Sequence, residues 1–278
     1  MTPDTLVENV LEVVSFPSAA AKVLGVLDDP QVRPEKIAEL LAFDPGLSAK
    51  VLRIANSSMF SGRSQIDELS RAVMILGTAL IRELVLGAGA VNAFQSAAMN
   101  QQARDACWRH AVCCAALASE IAVPQDRRLA EVAFTAGLTH DLGVLVLLLQ
   151  CPEDMRELLS VSARGKAAIL SERERFGFDR ADVGAALARA WRFPQTLVEC
   201  MAHHHTPAQA SEGYEELVSL IHVASEFAVC VDDPTVAVDQ LEGVDSAALG
   251  VLGISVEHIE EFVERARERV GGMRAALL

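Results

Sequence analysis

Residues 132–149 form one long apolar run in which the adjacent His140-Asp141 are the only ionisable residues. The local sequence is Gly137-Leu138-Thr139-His140-Asp141-Leu142-Gly143. Neighbouring helix positions point about 100° apart, so one ion can take both side chains only if the helix ends at the pair. Gly143 is expected to supply that end, because glycine tolerates a left-handed C-terminal turn. A His beside an Asp suits borderline cations such as Fe, Mn or Zn. The alternative is a capped helix end that merely carries the two residues.

The rest of the chain argues for helix. It has 278 residues, 51% of them hydrophobic, with one Tyr and two Trp; Ala, Leu, Val and Glu are plentiful and clusters of β-branched residues are few. The chain is long enough for one large or two ordinary domains. No segment is expected to cross a membrane, and residues 144–149 read as a core element. No signal-peptide pattern is visible, so a cytoplasmic location is expected. The six cysteines (Cys107, Cys113, Cys114, Cys151, Cys200, Cys230) include no CxxC pair and lie among apolar residues, as reduced core thiols do. The net charge of −14 repels phosphate backbones, which argues against nucleic acid as a partner. Gly87-Ala88-Gly89 lies in a helical pattern with no strand before it and is not a dinucleotide loop.

Taken in order, the pattern predicts helices over 5–14, 18–27, 34–42 and 45–55. Pro34 falls in a first turn, and Asp44-Pro45 is an N-cap followed by a first-position proline. A helix closes at Gly77 and another runs from Thr78 to about 94. Further helices are expected at 102–122, 128–142, 152–160, 164–176, 179–191, 195–204 and 212–229, with an amphipathic tail from Ser255. The Ala55-Asn56-Ser57-Ser58 turn is either a ligand-facing loop or a set of caps for exposed backbone groups. Arg53, Arg63, Arg71 and Arg82 make either an anion-binding face or solvated helix surface.

The phrases FPSAAAKVLGVLDD (16–29), IAELLAFDPGLSAKVLRIANSSMFSG (37–62) and IDELSRAVMILGTALIRELVLGAG (66–89) resemble the opening half of HDOD domains. The resemblance continues through FTAGLTHDLGVLVL (134–147), ERFGFDRADVGAALARAWRFP (174–194) and HHTP (204–207), and covers roughly residues 10–230. HDOD modules are relatives of the HD phosphohydrolases found in bacterial signalling proteins. The resemblance implies an all-α fold, with an N-terminal helical subdomain (1–98) packed on an HD-like bundle (99–230) and a helical extension (231–278).

Metal-bearing HD proteins use a first His, a His-Asp pair and a late Asp. Those with two ions add a His and a His-His pair. By motif, His110 is similar to the first His, His140-Asp141 to the pair, and His204-His205 to the later pair. Two positions depart: Arg180 stands where the intervening His is expected, and Ser225 where the late Asp is expected. Serine contributes no charge, and a guanidinium has no lone pair to coordinate with. Arg180 is therefore expected to pair with Asp141 or another acid. His222 and His258 have no role in this scheme. The resemblance then implies a signalling output or adaptor without catalysis, with a protein partner. The alternatives are a metal-dependent phosphohydrolase acting on a nucleotide or cyclic dinucleotide, and a nucleotide sensor using Arg180.

Overall fold

The computed structural model describes residues 1–278 except 13, 15, 28, 57–64, 96–98, 162–164, 242 and 278. The described residues are all-α, with no strand among them. The helices are α1 (Pro3–Leu11), α2 (Ser18–Leu27), α3 (Pro34–Leu41), α4 (Pro45–Ala55) and α5 (Leu69–Gln95). There follow α6 (Gln101–Ala122), α7 (Arg127–Thr139), α8 (Leu142–Gln150), α9 (Pro152–Val161) and α10 (Gly165–Phe176). The last five are α11 (Arg180–Ala190), α12 (Gln195–His203), α13 (Glu215–Asp232), α14 (Ser246–Leu252) and α15 (Val256–Leu277).

The contacts divide the chain into two compact units. The smaller holds Ser15–Gln95 with Gly272–Leu278. In it, α2, α3 and α4 each pack on α5, burying Ile37, Leu41, Leu47, Val51, Ile81 and Phe94. Local chemistry sets the helix ends. The Asp44 carboxylate accepts the Leu47 N–H at 3.0 Å, with Pro45 in the first turn. Gly77 breaks α5 with φ 76°, ψ 163°, at the residue where the sequence places the stop.

Asn56 ends α4 and ties it to residue 66. Its amide donates to the Leu52 and Ile66 carbonyls and accepts the Ile66 N–H at 2.7 Å. This is the capping role rather than the ligand-facing one. Ser57, Ser58, the loop 59–64 and Arg63 lie outside the described residues. Arg53, Arg71 and Arg82 are each engaged within the chain. Gly89 lies inside α5, where a side chain would collide with the Phe16 ring, 2.5 Å from its Cβ position.

The larger unit holds Met1–Val14 and Ser96–Gly271. The sequence reading draws its boundaries at 98 and 230. The contacts instead group α1, which packs on α8 and α11, and residues 231–271 with this unit. Its core is the stack of α6 on α7 and α13, with α11 against α8 and α12. Cys113, Cys114, Cys151, Cys200 and Cys230 are buried, Cys107 partly so, and none is disulfide-bonded. Against the sequence expectation, Leu129–Gln150 has the length and apolarity of a membrane-crossing helix, but 83% of its most apolar window is buried within the protein. It is also two helices, α7 and α8, broken at His140-Asp141.

Candidate metal centre

The α7–α8 corner builds the site. The last residue of α7, Thr139, turns its hydroxyl onto the Thr135 carbonyl at 2.9 Å, a bond that keeps it from capping the helix end. His140 and Asp141 follow outside the helix, and α8 begins at Leu142. The expectation that the helix runs to 142 and ends through a left-handed Gly143 is therefore corrected. Gly143 sits in the first turn of α8 and is not among the left-handed glycines. Its role is close approach: a Cβ there would lie 1.9 Å from the Arg180 carbonyl oxygen and 2.7 Å from the Gly184 nitrogen. The backbones of α8 and α11 touch at this point, and the contact brings the start of α11, with Arg180, beside Asp141.

Three histidines have their orientation set by backbone carbonyls. A carbonyl only accepts, so each ring nitrogen facing one carries the proton. His140 donates from Nδ1 to the Gly137 carbonyl at 2.7 Å, and His204 from Nδ1 to the Cys200 carbonyl at 3.0 Å. In both, the Nε2 lone pair is left for the pocket. His222 donates from Nδ1 to the His204 carbonyl at 2.8 Å and accepts the Asp245 N–H on Nε2 at 3.0 Å. The rings of His140 and His204 meet edge to face at 4.9 Å, and those of His204 and His205 lie 3.9 Å apart. His110 completes the set, 5.2 Å from His140.

The two halves are satisfied differently. The Ser225 hydroxyl lies 3.3 Å from His110 Nε2 and 3.2 Å from His140 Nε2. His204 Nε2, His205 Nε2 and Asp141 Oδ1 are buried without a hydrogen-bond partner. Orphaned polar atoms in an interior are rare because each forfeits its hydration.

Arg180, at the first position of α11, is 7% exposed. Glu172, fully buried on α10, grips it. One carboxylate oxygen accepts from Nε at 2.8 Å and, in a very short contact, from a terminal nitrogen; the other accepts the Arg180 backbone N–H at 2.9 Å. The remaining terminal nitrogen stands 3.6 Å from Asp141 Oδ2. The ion pair expected of Arg180 is thus present, with Glu172 as its main partner and Asp141 as the second.

The charges respond accordingly. Burial raises the Asp141 pKa to about 6, with Arg180 pulling the other way. Burial lowers that of His140 to about 4, with the Gly137 bond opposing and Arg180 assisting. His204 and His205 are held well below the usual histidine range, first by burial, then by His205 and by Arg180 respectively. These histidines stay neutral at pH 7, the form that binds metals.

The sequence matches the HDOD domain family over residues 13–207. The chain belongs to the HDOD family. An uncharacterised protein of Treponema pallidum (strain Nichols) is 25% identical over 228 residues, covering 80% of this chain and 43% of its own. The chain thus spans less than half the length of that relative. Among solved structures, an HDOD domain protein of unknown function from Geobacter sulfurreducens superposes with TM-score 0.75 at 22% identity, covering 99% of this chain and 98% of its own. A candidate phosphohydrolase from Shewanella amazonensis SB2B gives 0.72 at 27%, covering 96% and 97%. A candidate signal transduction protein from Marinobacter aquaeolei VT8 gives 0.71 at 22%, covering 96% and 60%.

Among the described residues of this HDOD chain, two donor groups lie close enough to hold an ion: His110, His140 and Asp141; and Asp141, His204 and His205. Within each, one atom per residue lies within 4.8 Å of the others. Donors bound at about 2.1 Å stand up to about 4.2 Å apart, so a small inward movement suffices. Arg180 is neutralised chiefly by Glu172, and Asp141 is the carboxylate both donor groups share. The residues therefore fit one divalent ion better than two.

All five candidate ligands from the sequence converge here, with Arg180 and Ser225 between them. Sequence reasoning missed Glu172, which sits in the charged string Ser171-Glu172-Arg173-Glu174-Arg175 and reads as surface. It also gave no part to His222, whose ring anchors the His204 backbone. His258 is a local partner of Ser255 at the start of α15.

Proposed function

We propose that this HDOD chain is a signal-transduction output or adaptor module that acts by binding a protein partner or a ligand and does not hydrolyse phosphoesters. The observation that carries the reading is Arg180. A buried guanidinium, clamped by Glu172, stands 3.6 Å from Asp141, where a two-ion hydrolase needs a neutral donor. Ser225 deepens the deficit, since it brings no charge to His110 and His140. A hydrolytic ion must be held firmly and keep a position open for water, and one carboxylate shared with an arginine serves that poorly. Were an ion bound, Asp141 and the histidines would hold it, and it would supply Lewis acidity there. This chain's own residues orient those donors and exclude solvent from their buried edges.

A second reading, a metal-dependent phosphohydrolase acting on a nucleotide or cyclic dinucleotide, draws on the intact His140-Asp141 and His204-His205 pairs and on the likeness to the Shewanella amazonensis protein. The test is hydrolysis of bis(p-nitrophenyl) phosphate by protein incubated with Mn(II) or Fe(II). The proposal expects the rate of Asp141→Ala in both proteins. Turnover that vanishes in Asp141→Ala would establish the hydrolase.

A further inference from the structure

The donor groups of the pocket are not equivalent, and their difference reaches beyond the proposed non-hydrolytic role. We propose that the pocket holds a single divalent transition-metal ion on Asp141 Oδ1, His204 Nε2 and His205 Nε2, and that Arg180, by occupying Asp141 Oδ2, limits the site to one ion. The inference deepens the reading of the pocket as a binding site and rests on its donor set, not on the absence of turnover.

Three observations carry it. In the pocket, Asp141 Oδ1, His204 Nε2 and His205 Nε2 are buried without hydrogen-bond partners, and these residues form one of the two candidate donor groups found among the described residues. In the other group, Ser225 already hydrogen-bonds both His110 and His140. Next, His204 presents an unprotonated Nε2, because its Nδ1 proton is committed to the Cys200 carbonyl, and its own carbonyl is fixed by His222. A hydrogen bond on the far ring nitrogen fixes the tautomer and direction of a ligand histidine in this way.

Finally, a carboxylate joins two ions by giving one oxygen to each. Asp141 has only Oδ1 to give, since Oδ2 faces the Arg180 guanidinium. Arg180 cannot swing away without leaving Glu172, fully buried, unpaired. Its fixed positive charge also repels a second cation. Arg180 is here a positioning residue: it touches the ligand, not the ion, and it orients Asp141 so that Oδ1 faces the two histidines. Three donors leave one or more coordination positions open, so the ion would be accessible to a small anionic or neutral ligand.

Apo protein titrated with Mn(II) provides the test, read by calorimetric stoichiometry and by electron paramagnetic resonance. The expected result is one ion per chain with an uncoupled six-line spectrum. His205→Ala should weaken binding at least tenfold, and His110→Ala less than threefold; both side chains are partly exposed, so folding is not the confounding variable. Zn(II) with 15N-histidine NMR gives a readout without mutation: the Nε2 signals of His204 and His205 move, and those of His110 and His140 do not. Two ions per chain, a coupled dinuclear spectrum, a larger loss in His110→Ala than in His205→Ala, or no binding at millimolar Mn(II) or Zn(II) would each overturn the inference. Turnover with one bound ion would remove the non-hydrolytic reading alone, and two ions without turnover would remove this one alone.

Discussion

His110 and His140 meet at a serine; His204 and His205 meet at nothing. Both halves share Asp141 from the corner between α7 and α8, and both contain a histidine locked by a backbone carbonyl. Ser225 quenches one half with two hydrogen bonds, while the other keeps three buried polar atoms without partners. Arg180 lies at the Asp141 edge they share. A side chain that removes a charge can therefore stabilise a metal pocket as a pocket, because it replaces the ion with hydrogen bonds. A side chain that adds a charge needs its own counterion, and Glu172 is that counterion.

The largest effect is expected where that counterion is removed. Glu172→Ala should destabilise the fold by about 3–5 kcal/mol, the cost of leaving a buried charge uncompensated, as read from urea unfolding. Glu172→Gln should cost less, because the amide keeps an acceptor for the guanidinium. Equal stability of Glu172→Ala and the parent would mean that Arg180 is hydrated rather than clamped. Next comes Gly143→Ala. Its methyl would overlap the Arg180 carbonyl, and forced overpacking of this kind costs roughly 1–3 kcal/mol. It should also displace Arg180 from Asp141, so metal affinity should change along with stability.

The pH dependence sharpens the contrast. In metal-free protein, the folded pKa of His140 is about 4 against 6.5 unfolded. The unfolded chain binds the extra proton between these values, so stability from this group falls as pH drops from 6.5 to 4. Asp141 has the opposite sign: with a folded pKa of about 6 against 3.8, the folded state holds the extra proton, and stability is lost as pH rises through that window. The two shifts are of similar size and nearly cancel. His204 and His205, both lowered, then decide the sign. Apo protein should lose stability on acidification below pH 6.5, and His205→Gln should flatten the slope in denaturant titrations. A slope of the opposite sign would mean that Asp141, not the histidines, governs the pocket.

Two smaller effects follow. Ser225→Asp should return an anionic donor to the His110–His140 half without raising Mn(II) uptake above one ion per chain while Arg180 is in place; a second ion at saturation would show that Ser225, not Arg180, sets the limit. His222→Ala removes two hydrogen bonds, each worth about 1 kcal/mol. It should cost that order in stability and speed amide exchange at Asp245, whose N–H it holds.

Much of the fold was legible because its signals are local. Asp44-Pro45 starts a helix by capping chemistry and Gly77 stops one by backbone freedom, and neither needs a tertiary partner. The ligand histidines were legible through their motif order. What escaped depends on packing between distant helices. The sequence places the end of α7 three residues late, because Gly143 there signals only conformational freedom. Its actual use is to let α11 approach, which only the α8–α11 contact reveals. Glu172 is invisible because a glutamate in a charged string looks solvated until α10 turns it inward. His222 was set aside because a histidine that serves another histidine's carbonyl leaves no spacing signature.

The most direct test is anomalous diffraction from crystals soaked in Mn(II). The account predicts one peak per chain, between Asp141, His204 and His205, with Arg180 still paired to Glu172. A peak between His110, His140 and Asp141, or two peaks bridged by Asp141 with Arg180 turned away, would contradict it.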